Sequence, residues 1–107
     1  MSSHLNLLED ARRLQEAGRL PEAEVICRQI ITANPHNPHA WQLLGELGFQ
    51  AGNYEAAVIC SDQVIRLSPT FFPAIVNRAR ALKAQKRFDE AIRLILRPDE
   101  VALEAHG

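Results

Sequence analysis

Residues 38–71 read PHAWQLLGELGFQAGNYEAAVICSDQVIRLSPTF, and the spacing inside this stretch decides the fold. Asn37 followed by Pro38 is a helix start: a capping side chain, then a proline at the first helical position, where its missing N–H costs nothing. Gly52 sits where a helix must end and reverse, and glycine accepts the left-handed backbone needed there. Ala57, Ser61, Val64 and Ile65 share one helix face. Ser68-Pro69 stops that second helix, because proline disfavours helix in the residue before it. The stretch predicts helix, turn, helix.

The same pattern recurs on both sides at a period of 34 residues. Ala23, Ala57 and Ala91 keep that spacing, as do Ala11, Gly45 and Ala79, and Leu20, Tyr54 and Phe88. Gly18 pairs with Gly52, and Pro35 with Pro69; Leu14 and Leu82 match across two periods with Gly48 between them. Repeats over 4–37, 38–71 and 72–105 account for nearly the whole chain. First helices are predicted near 4–17, 38–51 and 72–85. In the first repeat Ala23, Ile26, Cys27, Ile30 and Ile31 form the apolar face of the second helix. The small residues at 11, 45, 79 and at 23, 57, 91 let the two helices of a hairpin approach closely. Trp41, Leu44, Ile75 and Leu82 fill the space beside them, with Trp41 expected to be largely buried. One hairpin cannot cover its own apolar face, so stacked hairpins share a core. The expectation is an all-α solenoid: six helices in three hairpins, without strands.

Trp41, Leu44, Gly45, Tyr54, Ala57 and Pro69 resemble the signature of the tetratricopeptide repeat family, and the resemblance covers 102 of 107 residues. It implies a right-handed superhelix of three hairpins. The sequence departs from the family pattern at Gly48 and Ser61, where aromatics are usual, and at Pro98. The first two departures are expected to loosen the middle repeat. Pro98 is expected to end the last helix near Arg97. A short helix over 98–105 would then lie against Ile92, Ile95 or Leu96, leaving an end suited to weak self-association or to a further domain.

Composition narrows the function. The chain of 107 residues has a net charge of −1 and is 47% hydrophobic, the size and balance of one globular domain. A nucleic-acid binder needs a basic excess, so nucleic acid is not expected as a partner. No run approaches the length of a membrane span, and the N-terminus lacks the features of a secretory signal. A cytoplasmic address follows, and Cys27 and Cys60 fit a reducing compartment. Cys27 reads as a buried structural thiol, and Cys60, one position off its register, as partly exposed. His36 and His39 flank a proline without a nearby carboxylate or thiol, so they read as exposed turn residues rather than metal ligands. No Ser-His-acid grouping, phosphate-binding glycine loop or carboxylate pair stands out, and neither catalysis nor a cofactor is expected.

The resemblance further implies a concave groove lined by the first helices, where a partner protein's peptide or helix lies. The lining positions are Leu5, Leu8, Arg12 and Gln15, then His39, Gln42, Glu46 and Phe49, then Pro73, Val76, Arg80 and Lys83. Leu43 and Asn77 stand at its edge. Arg12, Glu46 and Arg80 are expected to bridge one another along the stack, and Phe49 to be the anchor. The carboxylate clamp by which some members hold heat-shock chaperones would require other residues at Leu8, Arg12, Leu43, Pro73 and Asn77. Two roles are implied: an adaptor or scaffold, or the substrate-recruiting arm of a larger bacterial glycosyltransferase or sulfotransferase.

Overall fold

The computed structural model describes residues 4–96, and these form five helices. They are α1 (His4–Glu16), α2 (Leu20–Ala33), α3 (Pro38–Gln50), α4 (Tyr54–Leu67) and α5 (Phe72–Leu96). No strand occurs among the described residues. α1 packs on α2, α3 on α4, and the hairpins stack through α2 on α3 and α4 on α5.

The ends of the helices follow from single residues. The Asn37 side chain accepts hydrogen bonds from the His39 and Ala40 backbone N–H groups at 3.0 and 3.3 Å, and Pro38 follows at the first helical position. Asn53 caps α4 by accepting from the Ala56 N–H at 3.2 Å. α1 and α3 end alike. Gly18 and Gly52 have φ of +78° and +81°. Behind them Arg19 N–H donates to the Leu14 carbonyl, and Asn53 N–H to the Gly48 carbonyl, both at 2.8 Å. Because a Cβ at Gly52 would meet nothing within 4 Å, the demand for glycine lies in the backbone alone. Gly52→Ala should therefore cost about 1–2 kcal/mol, the penalty for an L side chain in the left-handed region. Chemical denaturation checks this, and an unchanged midpoint would contradict it.

The third repeat differs from the sequence expectation. No turn divides α5, which runs unbroken for 25 residues. Lys86 occupies the place of Gly18 and Gly52, within Leu82-Lys83-Ala84-Gln85-Lys86-Arg87, a run of good helix formers. Without a glycine to take positive φ, continuing the helix satisfies the backbone at less cost than reversing it. The described residues thus form two hairpins and one long helix, where three hairpins and six helices were expected. Ile75 and Leu82, expected in the core, are 42% and 41% exposed, and Ala79 is exposed too. Ala74 and Ala81 are fully buried in their place, on the helix that packs against α4. The expected short helix over 98–105 lies outside the described residues.

The core follows the repeat in the first two hairpins. Ala11, Ala23, Cys27, Leu43, Leu44, Leu47 and Cys60 form one buried cluster. Ile30, Ala57 and Val64 are also buried. Gly45 marks a close approach: a Cβ there would stand 3.2 Å from the Cys60 Cβ. Cys60 is buried rather than partly exposed. Trp41 is only half-buried, packing on the core edge while its indole N–H donates to the Pro35 carbonyl at 2.8 Å. The indole lies where one end stays wet, a common compromise for tryptophan.

Candidate functional site: the surface shared by α1, α3 and α5

α3 lies between α1 and α5, touching both. Side chains at intervals of three and four along α3 are therefore presented together to residues of its neighbours. Glu46 is the hub. Its carboxylate accepts from Gln15 Nε2 on α1 at 3.1 Å and from Gln42 Nε2 one turn earlier at 3.1 Å. Arg12 Nη1 stands 3.9 Å from it, a loose ion pair. Gln15 Nε2 also donates to Gln50 Oε1 at 2.8 Å. Buried Gln42 has spent its amide N–H on Glu46, while its Oε1 has no partner. An unsatisfied buried acceptor costs about 1–3 kcal/mol.

Phe49 is half-buried, edge-on to Tyr54 with ring centroids 5.4 Å apart. The Arg80 guanidinium lies over its outer face, 4.7 Å from the ring centre. Such a cation–π contact contributes about 0.5–1 kcal/mol at an accessible site. Gln15, Glu46, Phe49, Gln50, Asn77 and Arg80 together line a hollow of about 340 Å³.

Of the residues expected to line the groove, Arg12, Glu46, Phe49, Asn77 and Arg80 gather around this hollow or its Glu46 hub. Half-buried Leu8 packs against the core from α1. Val76 and Lys83 are exposed on α5, as is His39 on α3, with its ring 6.0 Å from Phe71. Leu43 is a correction: it is fully buried in the core. Gln42 is buried as well and acts through Glu46. The side chain of Leu5 lies outside the described set. The expected ladder of charges forms only in half, since Arg12 reaches Glu46 but Arg80 stacks on Phe49. Gln50 and Phe71 were not anticipated. Gln50 stands one position beyond the expected Phe49 and Phe71 is the last residue of the second repeat, and polarity alone does not mark them.

No group of three or more His, Cys, Asp or Glu able to hold a metal occurs among the described residues. No described helix is long and apolar enough to cross a membrane. Residues 14–60, from within α1 to within α4, match the tetratricopeptide repeat family model. This stretch is similar to tetratricopeptide repeats. The match spans Gly18 to Gly52, the two turns built alike, and so rests on the hairpins whose helices fold back. Tetratricopeptide repeats serve in general as protein-interaction modules, and the hairpins here present side chains of α1 and α3 to a surface shared with α5.

Proposed function

We propose that this chain is a non-catalytic adaptor that holds a peptide or helix of a partner protein across α1, α3 and α5. The observation that supports this reading is the hollow of about 340 Å³ bordered by Phe49 and Arg80, with amides and a carboxylate around it. An aromatic face beside unlike polar groups suits a segment with one apolar anchor and neighbouring backbone groups to hydrogen-bond. Arg12, Arg80 and Lys83 outnumber Glu46, so an acidic residue near the anchor is favoured. Arg80 covers Phe49 only from solvent, and its swing aside would open the ring to a partner.

The test is a pull-down with the intact chain, using Phe49→Ala as the control and titrating any captured protein against both. A central aromatic anchor contributes about 2 kcal/mol or more on truncation, so binding should fall roughly 30-fold. Circular dichroism should show the fold retained. If Phe49→Ala instead melts the chain, the ring belongs to the core and the surface is misassigned.

A further inference from the structure

The undivided α5 exposes a face that the first two repeats keep covered. Ala11 and Gly45, the equivalents of Ala79, are both buried, and Gly45 lies directly beneath Cys60 and Ala57 of α4. Ala79 has the same small side chain and is exposed. Around it Phe72, Ile75 and Leu82 are 69%, 42% and 41% exposed. The four residues at 72, 75, 79 and 82 are spaced three, four and three apart, a single stripe along one face. Arg80, which stacks on the Phe49 ring, lies off this stripe.

Charge identifies the occupant. Lys83 and Lys86, four residues beyond Ala79 and Leu82, border the stripe, and no acidic residue occurs between Val76 and Phe88. Neither lysine has a carboxylate partner among the described residues, whereas Arg78 is engaged by Asp62 of α4 and Arg80 lies over Phe49. A second copy set antiparallel on this stripe would bring like charges together, which is unfavourable. An acidic helix would be complementary.

We propose that the stripe Phe72, Ile75, Ala79 and Leu82 docks an acidic amphipathic helix of a partner protein, in the place a second helix occupies in the other repeats. Ala79 requires a small residue opposite it, as Ala57 stands opposite Gly45. The partner thus completes a third hairpin in trans. The surface is separate from the proposed peptide groove.

The template for a probe is α4 itself, the helix that covers Gly45. A labelled peptide with the sequence of residues 54–67 carries Glu55 and Asp62 against Arg66. Fluorescence anisotropy with the full chain should show saturable binding. Leu82→Glu in the chain, or Glu55→Lys with Asp62→Lys in the peptide, should each weaken it about tenfold or more. Phe49→Ala should leave it unchanged, which separates this surface from the groove. Absent binding, or equal binding by Leu82→Glu, would overturn the proposal. So would a dimer of the chain alone that Leu82→Glu dissociates, because a second copy would then cover the face. A large fall in melting temperature for Leu82→Glu would overturn it too, by showing the face already covered within the chain.

Discussion

Leu43→Ala should destabilise the chain by about 2–5 kcal/mol, the range for removing a fully buried leucine and leaving a cavity. Leu43 has no exposed surface and belongs to the cluster that joins Ala11, Ala23 and Cys27 of the first hairpin to Leu44, Leu47 and Cys60 of the second. Its loss would loosen both hairpins at their junction. Small domains are stable by only about 5–15 kcal/mol in total, so this one change removes a large share. Val76→Ala is the informative comparison. Val76 is 54% exposed on the proposed binding surface, and its truncation should stay within about 0.5 kcal/mol. Equilibrium urea unfolding of both variants separates a core residue from a surface one. Equal midpoints would place Leu43 at the groove edge, where counting positions along the repeat puts it.

The first two repeats were legible because their turns are written in residues with one physical use. Asn37-Pro38, Gly18, Gly52 and Ser68-Pro69 set the ends of α1 to α4, and the helices begin or stop within a few residues of them. The third repeat misled for the same reason in reverse. Phe88 and Ala91 keep the 34-residue register, but a register of apolar residues cannot itself reverse the chain. Position 86 needed a glycine and holds a lysine. The candidate site was legible by face and not by contact. Counting three and four along α3 put Glu46 and Phe49 on the surface shared with α1 and α5. It could not show that Glu46 gathers two glutamines, or that Arg80 chooses the Phe49 ring over a carboxylate. Those outcomes depend on the spacing between helices, which hinges on small side chains such as Ala11 and Gly45 far from the site. Gln42 and Leu43 fall at the edge of a helix stripe, where a turn of a few tens of degrees decides between solvent and core.

The two cysteines should be nearly inert in the folded chain and should weaken it at high pH. Burial pushes the Cys27 thiol from its ordinary 9.0 up to about 12, against the pull of Arg12, and the Cys60 thiol up to about 11, against Arg28. The thiolate is the reactive form. At pH 8 its population should fall by roughly a thousandfold at Cys27 and a hundredfold at Cys60, because each step of one in pKa changes the ionised fraction about tenfold. Iodoacetamide should therefore label the native chain far more slowly than the urea-unfolded chain, with Cys60 modified before Cys27. Native labelling at the unfolded rate would show the thiols exposed. The same two thiols set a pH window for stability. Below pH 9 both are protonated whether the chain is folded or not, and the stabilisation is fully present. Above pH 9 the unfolded chain releases these protons first, while the folded chain holds them until about 11 and 12. Stability should therefore decline through that window by at most about 1.4 kcal/mol per thiol for each step of one in pH. Thermal melts from pH 7 to 10.5 would record it. A Cys27→Ala, Cys60→Ala chain, less stable at pH 7 because it leaves small cavities, should show a shallower decline, since it lacks both buried thiols. Parallel declines in the two chains would mean that neither thiol is held protonated by the fold.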